Sequence, residues 1–368
     1  MKLLFIITKA DEIGGAQIHI RDLTNQLLYD GHIVDVIVGE NGALVSELKK
    51  KNVPVHIVPS LVREINPIKD SMAIFSIRKL IKNIRPNIIS LHSSKAGIIG
   101  RFAAIGTNIP VLFTAHGWAF ANGVGKKQQK LYCAIERFMT PFARKIITVS
   151  QQDKDLAVKY GVASSDKQIV IHNGMPDIDV SSLLKRDVAS TSVNLISVAR
   201  FSEQKDHKTL FLALKDIDDL EWRIQLIGKG PLLGYYKEFA TKLGISDRVQ
   251  FLGERHDVAQ LLHQSDVFLL ISNWEGFPRS ILEAMRAGIP VIASDVGGSS
   301  ESVADNHTGF LIPRGDVDAL QQALRLLMQS KILREKMGAN GRERYLSNFT
   351  FEAMYMKTKN LYESLTII

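Results

Sequence analysis

Two glutamates eight positions apart, Glu275 and Glu283, stand in the segment ISNWEGFPRSILEAMRAGIPVIASDVGGSSE at residues 271–301. Glu275 falls in a loop after an apolar strand, next to Gly276, Phe277 and Pro278, and Glu283 falls inside the following helix. A loop carboxylate accepts hydrogen bonds from sugar hydroxyls, and one a turn into a helix takes those of a ribose. Between them, Gly276–Ser280 and the helix start offer backbone amides to a diphosphate. Gly297 and Gly298 then close another strand with a second amide-rich turn. Two glutamates at one spacing are common. The glutamates, the EGFP turn, an apolar strand and a GG turn in that order are not.

A pair of cations precedes this block. In ARFSEQKD, Ala199–Asp206, Arg200 and Lys205 leave one strand end just before a helix. Arginine binds a diphosphate bidentately and lysine as a point charge, beside the positive end of the helix dipole. Taken alone, the pair also reads as ordinary surface charge. The glycines of GKGPLLG, Gly228–Gly234, have the wrong spacing for a dinucleotide fingerprint, so a dehydrogenase gains no support.

The first half offers weaker signals. Its first strand ends in KADEIGG, where Gly14 and Gly15 make either an amide-rich approach to a ligand or a simple tight turn. His92 and His116 sit at strand ends, where imidazole donates to a sugar or phosphate or is a satisfied loop residue. No His, Cys and Asp cluster has zinc spacing, so no metal site is expected. Three Asp-x-Asp triplets, Asp153/Asp155, Asp177/Asp179 and Asp216/Asp218, lie away from strand ends and read as solvated surface.

These residues need a scaffold, and the apolar pattern supplies one. Strands are expected at Leu3–Thr8, Ile33–Val38, Val55–Val58, Ile88–Leu91, Val111–Thr114, Ile146–Val149 and Ile169–Ile171. Helical periods between them cover Ala16–Leu28, Ile68–Ile84, Ala96–Ile105, Lys127–Phe142 and Gln151–Tyr160. The alternation restarts with strands from Leu195 and ends in three helical segments, the last at Phe351–Leu365. Short strands alternating with helices mean βαβ units and a mostly parallel sheet. The expected division is a first α/β domain at 1–175, a Ser- and Asp-rich linker at 176–192 and a second domain at 193–348. The helix at 349–368 is expected to pack back on the first domain.

The 368 residues fit two domains, and a mean hydropathy near zero describes a globular chain. A single cysteine, Cys133, allows no internal disulfide and fits a reducing, cytoplasmic compartment. The N-terminal apolar run is too short for a signal peptide, and Arg101 interrupts the best candidate span. Residues 1–180 hold 23 Lys and Arg against 15 Asp and Glu, whereas the remainder balances, so the basic excess lies wholly in the first half. Basic residues without interleaved aromatics do not make a nucleic-acid binder. An anionic membrane surface and a phosphate-linked acceptor explain the asymmetry better.

Across nearly its full length the chain resembles the family 4 retaining glycosyltransferases of the GT-B fold. That fold is α/β, with two facing Rossmann-like doubly wound domains and an interdomain cleft. The resemblance rests on GGAQ (Gly14–Gln17), SSKAGIIGR (Ser93–Arg101), TAHGW (Thr114–Trp118), HNG (His172–Gly174), VAR with Lys205, IGKGP (Ile227–Pro231) and the EGFP–LEAM–VGGSSE block. It implies that Arg200, Lys205, Glu275 and His116 carry catalysis. Arg200 and Lys205 would meet the diphosphate leaving group, and Glu275 and His116 the donor sugar. Gly14, Gly15, Gly228, Gly276, Phe277, Pro278 and Ser280 would line the donor, with Glu283 on its ribose. Where the family commonly has a small apolar residue after the EGFP turn, this chain has Arg279.

The implied partners are a nucleotide-sugar donor, with UDP expected, and a lipid-linked or saccharide acceptor. No cofactor or metal is implied. The SKAGIIGR and TAHGW segments resemble the branch acting in cell-surface polysaccharide assembly. Two other readings share these residues: a nucleotide-sugar 2-epimerase and a non-catalytic sugar-nucleotide-binding protein. The Glu275 and Glu283 block argues against the first, and the presence of Arg200 and Lys205 against the second.

Overall fold

Runs such as KLLFII and IVDVIV hold almost no polar residue, and they become strands buried on both faces, as a helix-covered parallel sheet requires. The computed structural model describes residues 1–11, 14–121, 123–179 and 192–366. The chain begins β1 (Lys2–Ile7), α1 (Gly15–Tyr29), β2 (Ile33–Val38), α2 (Ala43–Lys50), β3 (Val55–Ile57), α3 (Pro67–Ile84) and β4 (Ile88–His92). It continues through α4 (Ser94–Ala104), β5 (Val111–Ala115), α5 (Lys126–Met139), β6 (Lys145–Thr148), α6 (Gln151–Lys159) and β7 (Gln168–Val170). The alternation resumes at β8 (Val193–Val198), α7 (His207–Lys215), β9 (Trp222–Ile227), α8 (Leu233–Lys242), β10 (Val249–Gly253), α9 (Val258–His263) and β11 (Val267–Leu270). Then come α10 (Arg279–Arg286), β12 (Val291–Ser294), α11 (Ser299–Ser302), β13 (Gly309–Ile312), α12 (Val317–Gln329), α13 (Lys331–Asn348) and α14 (Phe351–Thr366).

Two compact units result. One runs from Met1 to Asn173 and takes back the chain end from Met354; the other is Gly174–Ala353. The first holds a seven-stranded sheet ordered β3-β2-β1-β4-β5-β6-β7, and the second a six-stranded sheet ordered β10-β9-β8-β11-β12-β13. Every strand pairing in both is parallel. In the first sheet the winding direction reverses between β1 and β4, and in the second between β8 and β11. At such a switch point neighbouring strand ends send their loops in opposite directions and leave a crevice.

The helix α2 and strand β13 were not expected. ALVSELKK buries only Leu44, Val45 and Leu48, too few to establish a helical period, and GFLI follows a turn-rich NHTG. Expected helix 127–142 ends at Met139, and Pro141 lies in a 3-10 turn, Thr140–Phe142. Of the expected linker, residues 180–191 lie outside the described residues, while 176–179 belong to the second unit. There Asp177 takes two 2.6 Å bonds from Arg342, so it anchors the segment and is not merely solvated. Asp153 also departs from that reading. It is buried, and it exchanges hydrogen bonds with Ser150, the N-cap of α6, at 2.9 and 3.0 Å. Ser150 thus caps the helix start by accepting from Asp153 N–H, and its hydroxyl donates to the Asp153 carboxylate.

Within the first unit, α14 is fastened through Asp30. The carboxylate accepts from Lys359 Nζ at 2.6 Å, Tyr355 Oη at 2.7 Å and Gln26 Nε2 at 3.0 Å. These bonds, Lys359 first, pull the Asp30 carboxyl down to about 2. A lowered folded value means that the stabilisation is complete above the ordinary aspartate range and is lost as pH falls through it toward 2. Asp30→Asn should therefore melt below the wild type at neutral pH, with the gap closing below about pH 4. A gap in thermal melts that does not change with pH would remove Asp30 as the fastening.

Candidate active site

At the switch point of the second unit, two loops zip together. Asp206 N–H donates to Ile271 O at 2.9 Å, Asn273 N–H donates to Gln204 O at 2.8 Å, and Lys205 bridges Ser272 through the backbone. The Asp206 side chain caps α7 by accepting from Thr209 N–H. This register places the Lys205 ammonium directly on Glu275 Oε1, which also accepts from Ser272 Oγ at 2.6 Å. Gln204 Nε2 reaches Glu275 Oε2 at 3.3 Å and Trp274 O at 3.0 Å. Both charged side chains are largely covered, 12 % and 6 % exposed, so each depends on the other. Lysine has three N–H donors, and one contact with Glu275 leaves two for an anion.

Arg200 stands exposed two residues beyond the end of β8. Next to it, Phe201 is fully buried and stacks on His207, with centroids 4.4 Å apart. Burial pushes the His207 imidazole down to about 4, so the ring packs as a neutral plate. The second support is Gly228, at φ +140, where a Cβ would lie 2.2 Å from Ala199 O. Gly228 therefore lets two loops touch and so positions Arg200, a packing role that its expected place on the donor does not need.

The EGFP turn is built the same way. Gly297 has φ +59 and passes so close to Glu275 O that a Cβ would lie 2.1 Å from it, and Gly298 N–H donates to Gly276 O at 2.5 Å. Phe277 turns its ring into the interior against Phe349, centroids 5.5 Å apart, and Pro278 occupies the N-cap position of α10. Proline has no N–H, so these two residues shape the turn, and the first N–H groups of α10 are those of Arg279, Ser280 and Ile281. No side chain caps this helix start. Glu283 lies one turn in. Burial raises its carboxyl above the usual range against the opposing pull of Arg279 and Arg286, and no described residue donates a hydrogen bond to it. Arg279 donates to Gly174 O at 3.0 Å, so its guanidinium holds the start of the unit.

In the first unit, Gly14 is extended and Gly15 opens α1. Neither uses a left-handed conformation, and a Cβ at Gly14 would meet only Gln17 Oε1, at 3.1 Å. His92, at the end of β4, is wholly buried, and burial pushes its imidazole well down. Its Nδ1 is 3.2 Å from His116 Nε2, just past β5, and its Nε2 is 3.0 Å from Ser90 Oγ. Ser90 in turn contacts Tyr362 Oη of α14 at 3.2 Å. His19 packs on both rings, with centroids 5.6 and 5.1 Å away. His19 belongs to no sequence motif, yet its place four and eight residues before Leu23 and Leu27 puts it on the buried face of α1. A cavity of 1010 Å³ opens beside His116, with Lys9 and Gln17 near it and Ile98, Phe102 and Phe138 among its apolar walls.

Two doubly wound parallel units, one with cations, paired carboxylates and an open helix start at its switch point, define a glycosyltransferase of the GT-B fold. The chain belongs to the family 4 glycosyltransferases. Residues 13–177 match the family described as Glycosyltransferase Family 4, and residues 184–344 match Glycosyl transferases group 1. It is 31 % identical to the Escherichia coli UDP-Gal:alpha-D-GlcNAc-diphosphoundecaprenol alpha-1,3-galactosyltransferase, over 91 % of this chain and 89 % of that one. It is 27 % identical to the capsular polysaccharide biosynthesis glycosyltransferase CapM of Staphylococcus aureus, over 86 % and 91 %. Among solved structures, Anabaena HepE in complex with UDP superposes with a TM-score of 0.84 at 21 % identity, over 99 % of this chain and 100 % of that one.

Each of Arg200→Ala and Lys205→Ala should cut turnover by roughly two to three orders of magnitude, the usual cost of removing one donor to charge developing in a transition state. Steady-state kinetics showing a loss below about tenfold for both would remove the diphosphate from this switch point.

Proposed function

We propose that the protein is a retaining glycosyltransferase that moves a hexose or N-acetylhexosamine from a UDP-sugar to a lipid-linked saccharide during cell-surface polysaccharide assembly. The observation that carries this reading is the Lys205–Glu275 pair beside Arg200 and the uncapped start of α10. When the glycosidic bond to a diphosphate breaks, negative charge grows on the leaving oxygen, and Arg200, the remaining N–H groups of Lys205 and the helix amides answer it. Glu275 accepts from donor-sugar hydroxyls and fixes their orientation, while Glu283 accepts from the ribose. His116 is the residue that the family resemblance gives to the transferred sugar. UDP is favoured because related structures hold UDP and UDP-glucose and the E. coli relative is named for UDP-Gal. In screens of UDP-, GDP- and ADP-sugars, one UDP-sugar should support transfer. Product NMR should show the donor's anomeric configuration retained, in the presence of chelator as in its absence. Inversion, or strict need for a divalent ion, would reject the mechanism.

The lipid-linked acceptor draws on the surface of the first unit. Along α3, Ile68, Met72 and Phe75 are exposed on one helical face, and Ile65 and Phe138 are exposed as well. Ile65 and Phe138 also line the 1010 Å³ cavity, so its apolar wall continues onto the surface. Lys79, Lys82 and Lys127 lie on the same helices, α3 and α5. Apolar side chains beside lysines suit the headgroup boundary of an anionic bilayer, where each basic residue contributes about 1 kcal/mol. No helix among the described residues is long and apolar enough to cross a membrane. In this reading the protein binds peripherally at the cytoplasmic leaflet, with the acceptor's hydrocarbon entering the cavity. Co-sedimentation with liposomes should rise with anionic lipid, fall with salt, and weaken in Phe75→Ser and in the triple Lys79, Lys82 and Lys127 change to Glu. Equal binding to neutral and anionic vesicles would point to a soluble acceptor.

A further inference from the structure

The first unit gathers three histidines that the transfer reaction does not use as a set. His19, His92 and His116 place one ring nitrogen each within 4.8 Å of one another, and they are the one such group of His, Cys, Asp or Glu among the described residues. They come from α1, β4 and the residue after β5, and β1, β4 and β5 are neighbours in the sheet, so the ligands stand on rigid elements. Their positions in the sequence, 73 and 24 residues apart, give no zinc pattern, which is read from short spacings.

We propose that these three imidazoles form a binding site for one divalent ion of the zinc class, which turnover does not require and which opposes donor binding. Spacing favours it first. Two nitrogens bound at zinc's usual distance in a tetrahedral site lie roughly 3.3–3.4 Å apart. His92 Nδ1 and His116 Nε2 are already 3.2 Å apart, so His19 alone has to close in. The outer contacts fit as well. His92 Nε2 is held by Ser90 Oγ, and Ser90 by Tyr362 Oη, the kind of second contact that aims a ligating ring. The proton shared between His92 and His116 moves to the other nitrogen of whichever ring carries it when the ion takes its place, so both rings stay neutral. Three imidazoles and no carboxylate select Zn²⁺, Co²⁺ or Cu²⁺ over Mg²⁺ or Ca²⁺. Three protein ligands leave a fourth position, and His116 lines the open cavity through which water or a phosphate oxygen would reach it.

Opposition to the donor rests on the proposed contact of His116 with the transferred sugar, whereas ion binding does not. The full chain, freed of metal with chelator, is titrated with Co²⁺ by visible absorption and with Zn²⁺ by calorimetry. One ion per chain is expected, with the ligand-field bands of a four- or five-coordinate site and displacement of Co²⁺ by Zn²⁺. His19→Gln and His116→Gln should each weaken Zn²⁺ about a hundredfold, and Ser90→Ala about tenfold. Circular dichroism of the metal-free variants confirms their fold. His32→Ala, which removes the ring lying 3.2 Å from the N-terminal amine, should change nothing. No uptake by the wild type, unchanged affinity in both His19→Gln and His116→Gln, or loss in His32→Ala would overturn the site. Zn²⁺ should also raise the apparent donor KM of the wild type. Histidine-dependent binding with no effect on that KM would keep the metal site and reject the contact of His116 with the donor.

Discussion

The ion pair between Lys205 and Glu275 is the constraint on which the second unit's site depends. Neither side chain is free to move into solvent, and removing either would strand a covered charge at a cost of several kcal/mol. Its geometry is fixed by the backbone beneath it, where Asp206 and Asn273 lock the loop after β8 to the loop after β11. Around that lock, Gly228 and Gly297 are glycines because adjoining backbones would otherwise collide, Gly228 with Ala199 O and Gly297 with Glu275 O.

The two units solve one topological problem with different chemistry. Each has a parallel sheet whose winding reverses once, and each gathers its unusual side chains at that reversal. The second unit puts fixed charges there, suited to a diphosphate. The first puts three mostly buried rings there, with an apolar cavity alongside. Charge balance differs in the same sense, since the basic excess of the chain falls in its first half and lies over helices that also expose Met72 and Phe75.

Much of this was legible in the sequence because strands buried on both faces leave nearly unbroken apolar runs, and those runs marked twelve of the strands. The Glu275 to Gly298 block was legible because its turn residues, helix and second turn lie within one short stretch. Contacts across long separations were not. Lys205 and Glu275 are 70 residues apart, and only the pairing of β8 with β11 brings them together. His19 hid among the apolar positions of α1, and Asp177 looked solvated because its partner Arg342 comes 165 residues later. The packing of Gly228 against Ala199 O was not legible either, because a sequence does not show which backbone passes a glycine.

We propose that the leaving diphosphate sits at the β8–β11 switch point. A crystal structure of the protein grown with UDP tests it most directly. Diphosphate oxygens should lie within hydrogen-bond distance of Arg200, Lys205 and the first amides of α10, with the ribose hydroxyls on Glu283. UDP bound with its diphosphate at the Gly14–Gly15 turn, and with Arg200 and Lys205 untouched, would contradict it.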